Sequence, residues 1–447
     1  MLMLECKEVD GSHVKYPAVK EAFKKAEINL VDGQSHYTSI IWWDGDIKNK
    51  DFENIGPSQR VNKIPGMDYI CFKSTTIHAF NQMRRMFPNF YNFFPTSFLL
   101  PHQFTDLQRL HNHLQGRSKN PVTWIVKPRN GCCGNGIKLV QHIFELSHRT
   151  EPAVVQRYIP PYLINGYKFD FRFYILISTL APYTAYIYKE GLARFCTHEY
   201  KPPTSATLDD KYSHLTNTSI NKENQESKGQ EFTKLASIVL DQIAVQSPKK
   251  GPGLWKKICD VAMFSLLAIW PSIVTSLTNF NSERRLWGRR PFNQSEKTLD
   301  LFSKYFHIMG IDILVSENLQ PIVLELNDRP SMVVTYECEK DLKRDMIFDA
   351  FSHISCDGSP IDGVQTTKNQ AKDGNGSSNP DNWIKILPCP SYDNLAPVVN
   401  EIISKSANVF RTYAANRERP HYEERYRSSP KTRTETFINA DSPSDCQ

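Results

Sequence analysis

Three stretches of the sequence carry residues whose types and spacing could do chemistry. In WIVKPRNGCCGNGI, Trp124 to Ile137, a strand pattern ends at Lys127, and Gly131, Gly134 and Gly136 follow in a loop. Glycines let backbone N–H groups approach phosphate oxygens, while a lysine supplies a point charge. A glycine-rich hairpin turn beside a surface lysine would read the same way. With no helix clearly opening after it, the segment is neither a Walker loop nor a dinucleotide fingerprint. In YKFDFRFYILI, Tyr167 to Ile177, Lys168, Asp170 and Arg172 stand two apart, on one face of a strand, with Phe169, Phe171 and Phe173 on the other. Three charges beside an aromatic core face are costly unless they meet ligands or one another. The alternative is a solvent-facing edge strand, and the aromatic density argues for a central one. In GIDILVSENLQPIVLELN, Gly310 to Asn327, Asp312 opens one strand, and Glu325 and Asn327 lie two residues apart on the next, pointing the same way. Hard oxygen donors gathered on adjacent strands suit a Mg²⁺ ion that also keeps waters and binds substrate phosphates. A buried structural salt bridge is the alternative, because a carboxylate inside IVLEL needs a partner of some kind. Arg194 in EGLARF and the tetrad HLTN, His214 to Asn217, are weaker signals, and a capped turn explains HLTN equally well.

These residues need strands and turns to hold them. Tyr37 to Trp43 reads as a buried strand ending at Asp44-Gly45, and Ile77 to Met86 as a helix stopped by Pro88. Phe94 to Pro101 is extended. Val122 to Val126 and Ile137 to Val140 flank the glycine loop, and Ala153 to Tyr158 and Phe169 to Ile177 follow as strands. Tyr183 to Tyr188 and Gly191 to Phe195 suggest a hairpin turning at Lys189-Glu190. Residues 231 to 309 read as largely helical, and Ile311 to Val315 pairs with Ile322 to Leu326 around Glu317-Asn318. Strands with helices inserted between them give an α+β or mixed α/β enzyme. Asp362 to Asn382 is polar and rich in Gly, Ser and Asn, the composition of a flexible linker. Beyond it a short helix is expected over Leu395 to Tyr413, overlapping a basic stretch from Arg411 to Arg433.

Length and composition narrow the class. At 447 residues, 40% hydrophobic and 23% charged, the chain can bury a large core and is not of the disordered type. Its net charge of +6 favours an acidic partner without naming one. Ten cysteines include no C-x-x-C pair, so neither a zinc knuckle nor a disulfide framework is expected, and a reducing cytosolic compartment fits. MLMLECKEVDGS has no basic region followed by an apolar run, so no secretory signal is expected. Val261 to Phe280 is uncharged and of membrane-spanning length, yet its serines, threonines and Pro271 point to a buried helix broken at the proline.

Taken in order, these segments resemble the tubulin tyrosine ligase-like family. The resemblance runs from about Trp42 to Ile354 and rests on VNKIPGMDYICFK, FPTSFLLP, WIVKP, QRYIPPYLINGYKFDFRFYILI, YIYKEGLARF, HLTN, GIDILV and LELNDRPSM. It implies an ATP-grasp-like ligase with an N-terminal α/β subdomain and antiparallel sheets flanking the ATP site. The expected divisions are an N-terminal subdomain over 1–100 and a central subdomain with the glycine loop over 101–175. A C-terminal subdomain with the metal site and a helical insertion covers 176–357, followed by a linker over 358–382 and a basic, partly helical tail over 383–447.

The same resemblance assigns roles. Lys127 and Lys168 hold ATP phosphates, with Cys133 and Gly134 in the covering loop. Gln156, Arg157, Tyr158 and Ile159 form the hinge that reads adenine, mostly through backbone groups. Asp170, Thr216 and Asn217 contact the nucleotide, and Asp312, Glu325 and Asn327 hold Mg²⁺, two ions being expected. Arg194 grips the incoming amino acid with Asn221 and Lys222 nearby, and Arg172 stabilises negative charge on the reacting phosphoryl group. The implied reaction turns a protein carboxylate into an acyl phosphate, which the amino group of a free amino acid then attacks. Glutamate joined to the acidic tails of tubulin is the expected case. Glycine or tyrosine is the alternative donor, and a catalytically silent microtubule-binding protein is the alternative class. Lys249-Lys250, Lys256-Lys257, Arg284-Arg285, Arg289-Arg290 and the segment Arg411 to Arg433 would attract such tails. A monomer acting on the cytoskeleton in the cytoplasm, or at a cilium or basal body, is expected, without nucleic acid or membrane. The chain departs from the family pattern at Cys133, where an arginine is usual, and at Asp328-Arg329, where Asn-x-Ser-Pro is usual. Ser316 and Thr218 replace an acidic and an aromatic residue respectively.

Overall fold

The structure, a computed structural model, describes residues 6–33, 38–56, 58–128, 134–227, 230–286, 302–356 and 382–388, with residues 401 and 404. Strands Glu8–His13 (β1), Asn29–Val31 (β2), Ile40–Trp43 (β3) and Arg60–Val61 (β4) form a parallel sheet in the order β2-β1-β3-β4. Helix Pro17–Lys25 (α1) makes the crossover between β1 and β2. Its proline stands in the first turn, where the missing N–H costs nothing, and Ala18, Val19, Ala22 and Phe23 form its buried stripe. Asn49–Phe52 (α2), Met67–Ile70 (α3) and Lys73–Met86 (α4) follow as helices.

A second sheet, antiparallel throughout, is built from Ser97–Leu100 (β5), Trp124–Pro128 (β6), Lys138–Val140 (β7) and Ala153–Arg157 (β8) in the order β5-β8-β6-β7. Leu107 of helix Phe104–Gln115 (α5) shares a core with Trp124, Val126 and Val155 of this sheet.

The third sheet has seven strands: Leu163–Ile164 (β9), Tyr167–Leu180 (β10), Tyr183–Phe195 (β11), Thr233–Leu235 (β12), His307–Val315 (β13), Pro321–Asn327 (β14) and Trp383–Leu387 (β15). Its order is β12-β11-β10-β13-β14, with β9 on β10 and β15 on β11, and every pairing is antiparallel. The remaining helices are Lys211–His214 (α6), Thr218–Lys222 (α7), Ala236–Gln246 (α8), Leu254–Leu286 (α9) and Glu337–Ala350 (α10). The architecture is therefore mixed α/β with antiparallel sheets, as expected.

Strand β10 is central, flanked by β11 and β13 along most of its length. Phe169, Phe171, Phe173, Ile175 and Ile177 are fully buried in one core with Leu266, Ile269 and Ile273 of α9. Each such side chain contributes about 2–3 kcal/mol by leaving water. The solvent-facing edge alternative for this strand is thus excluded.

Several expectations are corrected. Lys189-Glu190 is not a hairpin turn, because β11 runs continuously from Tyr183 to Phe195 and the chain reverses instead around Ala181-Pro182. The polar pair falls where the β10–β11 register shifts between Phe173 and Ile175, a bulge that absorbs extra residues without ending the strand. Helix α9 continues through Pro271 rather than breaking there. Burial of Leu267, Ile269 and Ile273 around the proline holds both halves in line. This helix is long and apolar enough to cross a membrane by composition, and 72% of its most apolar window is buried inside the protein. Strand β10 crosses the expected division at residues 175 and 176, and the start of the expected tail, Trp383–Leu387, is a strand of the central sheet. Tyr37, Cys133, residues 358–381, Arg289-Arg290, the expected helix over Leu395 to Tyr413 apart from residues 401 and 404, and the Arg411 to Arg433 stretch lie outside the described residues.

Candidate active site

Three adjacent strands set the charged groups side by side. Register places Arg172 of β10 opposite Asp312 of β13, and Asp170 of β10 opposite Arg194 of β11. The ion pairs follow from that register. Arg172 forks onto Asp312, its Nη2 donating to Oδ2 at 2.9 Å and its Nε to Oδ1. Arg194 forks onto Asp170 at 2.8 and 2.7 Å, and its Nη2 also donates to Asp312 Oδ2 at 2.8 Å. Thr216 Oγ1 donates to Asp170 Oδ2 at 2.8 Å. Burial alone would raise the Asp312 carboxyl, but the Arg172 and Arg194 guanidinium groups outweigh it and hold the group well below the usual carboxylate range. Burial also works against both guanidinium groups, yet their aspartate partners hold them above their ordinary value. Bidentate geometry is what makes so buried a charge cluster tolerable.

Strand β14 completes the face. Asp312 pairs with Glu325, but Ile313 pairs with Val323, so β14 carries one extra residue at Leu324. That bulge lets Val323 and Leu326 both join the core shared with α9, while Glu325 and Asn327 both line the cavity. Lys73, the first residue of α4, pairs with Glu325 at 3.3 Å, and Asn327 Nδ2 lies 3.5 Å from Glu325 Oε1.

Two buried lysines face this set. The ammonium of Lys127, on β6, makes no hydrogen bond or ion pair with a described residue. Burial brings its ammonium down to about 8, with the charges of Glu325, Lys73 and Lys168 acting in both directions. Lys168 donates to His214 O at 2.6 Å and to Tyr158 OH at 3.2 Å. His214 Nε2 lies 3.1 Å from Thr207 O and donates to it, so Nδ1 accepts from Tyr158 OH at 3.0 Å. Burial, reinforced by Lys168, brings His214 down to about 4, which keeps the ring neutral. The relay thus orients the lysine without adding a second cation. Gly134 has a φ of +84° and lies so close to α7 that an added Cβ would sit 2.3 Å from Ile220 Cδ1. No side chain fits there.

These groups line a cavity of about 420 Å³ between the second and third sheets. Of the residues singled out in the sequence, it brings together Lys127, Gly134, Gln156, Arg157, Tyr158, Ile159, Lys168, Asp170, Arg172, Arg194, Thr216, Asn217, Asp312, Glu325 and Asn327. Gln156 donates to Ser97 Oγ at 3.0 Å, and the N–H groups of Arg157 and Tyr158 are taken by Thr96 and Thr123 carbonyls. Among the described residues nothing accepts from the Ile159 N–H.

Two residues fall elsewhere. Asn221 is buried away from the cavity, its Nδ2 donating to Leu215 O and Asn217 O at 2.8 and 3.0 Å and its Oδ1 accepting from Thr197 N. An amide so engaged is a strut for the HLTN segment. Lys222 is exposed and reaches the rim only through Thr335 Oγ1 at 3.3 Å. The departure at Arg329 is accommodated by pairing with Asp46 and with Asp328 at 2.9 Å. Sequence reasoning gave no role to Lys73, although it ends the VNKIPGMDYICFK motif, nor to Glu339 and Lys343, which also line the cavity.

The oxygen set fits a hard dication. Asp312 accepts three hydrogen bonds, which leaves one lone-pair site on Oδ1, and Asn327 Oδ1 has no partner among the described residues. Two carboxylates and an amide oxygen on neighbouring strands of one sheet are donors Mg²⁺ accepts. No group of three His, Cys, Asp or Glu side chains converges among the described residues, because the third donor here is an amide.

The profile of the "Tubulin-tyrosine ligase family" matches residues 51–362 of the chain. "Tubulin polyglutamylase TTLL6" of Homo sapiens is 30% identical over 355 residues, covering 78% of this chain and 37% of that protein. "Probable beta-tubulin polyglutamylase" of Tetrahymena thermophila is 30% identical over 357 residues, covering 76% and 28%. "Tubulin polyglutamylase TTLL7" of Homo sapiens is 30% identical over 354 residues, covering 76% and 37%. The chain spans less than half the length of these curated relatives.

Proposed function

The chain belongs to the tubulin-tyrosine ligase family, and from that premise we propose that it joins free glutamate to glutamate side chains of tubulin at the expense of ATP. The polyglutamylase names of its relatives support the reaction and the substrate. The carrying observation is Lys127, a buried lysine whose ammonium faces the cavity with no hydrogen-bond partner among the described residues. Such a group calls for a polyanion.

In this reading the nucleotide lies between two antiparallel sheets, an ATP-grasp-like arrangement. Lys127, Lys168 and the backbone at Gly134 receive phosphates, and the Ile159 N–H meets the base edge. Asp312, Glu325 and Asn327 would hold magnesium, which when bound supplies electrostatic screening of the phosphates. A carboxylate is a poor electrophile, so the terminal phosphoryl group of ATP passes to the acceptor carboxylate, giving an acyl phosphate and ADP. The free amine of glutamate then attacks the acyl carbon, and phosphate leaves. Arg172 and Arg194, each fixed by a bidentate carboxylate, sit where negative charge develops, and one such preorganised donor contributes about 3 kcal/mol. Action in the cytoplasm on the cytoskeleton follows from the substrate, with the cilium or basal body as the finer assignment.

The test is incorporation of radiolabelled glutamate into purified microtubules with Mg·ATP, wild type beside Glu325→Gln. Label that depends on Glu325 supports the proposal. Incorporation of glycine or tyrosine in place of glutamate would overturn the donor assignment, and microtubule binding indifferent to ATP would overturn the ligase.

A further inference from the structure

The charged face of β10 continues past Arg172 to Tyr174, which the chemistry above leaves unused. Tyr174 is 1% exposed and lines the cavity, and its hydroxyl has no hydrogen-bond partner among the described residues. The hydroxyl is not among the wholly buried unpartnered atoms, so it opens onto the cavity, where a ligand oxygen can meet it. The same cavity takes in Glu339 and Lys343 of α10, one helical turn apart and 4% and 3% exposed. They interrupt a buried stripe that otherwise holds Leu342, Met346 and Ile347, so packing does not account for them. Lys343 Nζ donates to Glu339 Oε2 at 2.9 Å and to Val333 O at 2.5 Å. An ammonium has three donors, so one remains. Tyr174, Arg172, Glu339 and Lys343 thus line one cavity, and the charges of Glu339 and Arg172 act on both Tyr174 and Lys343.

We propose that Tyr174 and Lys343 form the side-chain end of the donor subsite, reading the side-chain carboxylate of free glutamate. This rests on the ligase reading above and adds the residues that select the amino acid. A lysine donates and cannot accept, so its unused N–H needs an acceptor oxygen, and the Tyr174 hydroxyl on the same cavity can donate to the second oxygen of that carboxylate. Glycine brings no such oxygen, and glutamate does.

Tyr174→Phe is the informative variant, because it removes one oxygen and keeps the ring. Lys343→Met also releases the Val333 carbonyl and serves as the second variant. The full chain is assayed with Mg·ATP and microtubules against labelled glutamate and labelled glycine. Glutamate is also titrated calorimetrically into protein saturated with a non-hydrolysable ATP analogue. Tyr174→Phe is expected to raise both the KM and the Kd for glutamate about tenfold, the usual loss for one hydrogen bond to a charged group. The KM for ATP and for tubulin should change by less than about twofold. Lys343→Met should narrow the preference for glutamate over glycine. An unchanged KM for glutamate in both variants overturns the proposal, and so does a rise confined to the KM for tubulin, which would assign this wall to the acceptor. Wild type that transfers no glutamate but binds it in a Tyr174-dependent manner overturns the ligase reading and leaves this subsite standing. Absence of both transfer and binding overturns both.

Discussion

Strand β10 has two faces made from alternate residues of one short segment, and they are held by different physics. Phe169, Phe171 and Phe173 meet α9 in a core that asks only for apolar volume. Lys168, Asp170 and Arg172 meet the cavity, where each charge has a named partner at one position on a neighbouring strand or loop. The apolar face is non-directional and tolerates a change of neighbour of similar size. The charged face is directional, and a slip of one residue would leave Asp312 and Asp170 without their arginines. The first face supplies stability, and the second uses some of that stability to keep charges dry and oriented.

Substitutions can break or sharpen this contrast. The largest effect is expected on the apolar side, where Phe171→Ala should lower the unfolding free energy by about 3–5 kcal/mol in a denaturant titration. Nucleotide affinity should stay near wild type wherever the variant is folded. Across the sheet, Glu325→Gln should behave in the opposite way. Its pairing with Lys73 is partly exposed at 23% and 21%, so stability should move by less than about 1 kcal/mol. Glutamate incorporation should fall on the order of hundredfold. A large stability loss there would show that the charged face also carries the fold.

Lys127→Met separates the two roles within one residue. Nucleotide affinity should drop about tenfold, while the unfolding free energy rises by about 1 kcal/mol as a buried unpaired charge is removed. Its pH dependence has a definite sign. Burial lowers the Lys127 ammonium from 10.5 to about 8, so folding disfavours the charged form. That destabilisation is fully present below about 8 and fades as pH rises from 8 towards 10.5. Nucleotide affinity should move the other way, weakening above pH 8 in the wild type and staying flat in Lys127→Met. The smallest effect is expected at Gly310, where an added Cβ would lie 3.1 Å from Arg172 Cδ and 3.3 Å from Pro330 Cβ. Gly310→Ala should cost about 1 kcal/mol, read as a small fall in melting temperature.

Much of the site was legible because its signals are local. Alternation in YKFDFRF fixes which residues share a face, and the oxygen residues of DILV and LELN stand at strand positions whatever surrounds them. The lysine of WIVKPRNGCCGNGI is read in the same way as the end of a strand, and the ordered series of motifs carried the family. What misled was also local. Lys189-Glu190 has turn chemistry but sits in a bulge, since pairing with β10 on one side outweighs a two-residue preference. The resemblance puts Asn221 beside Arg194 at the amino-acid site, yet backbone groups of the HLTN segment and of Thr197 occupy its amide.

The sequence by itself determined the mixed α/β class, the two-faced central strand, the positions of Lys127 and Lys168 on their strands and the acidic pair with its amide. Each of these depends on periodicity or on residue type within a few positions. Only the tertiary structure decided that Arg194 bridges Asp170 and Asp312, that Lys73 reaches Glu325, that Trp383–Leu387 joins β11, and that Tyr174 and Lys343 share one wall. Those partners come from distant parts of the chain. Strand register and the packing of helices across the sheet choose among many equally charged candidates, and no local pattern encodes that choice.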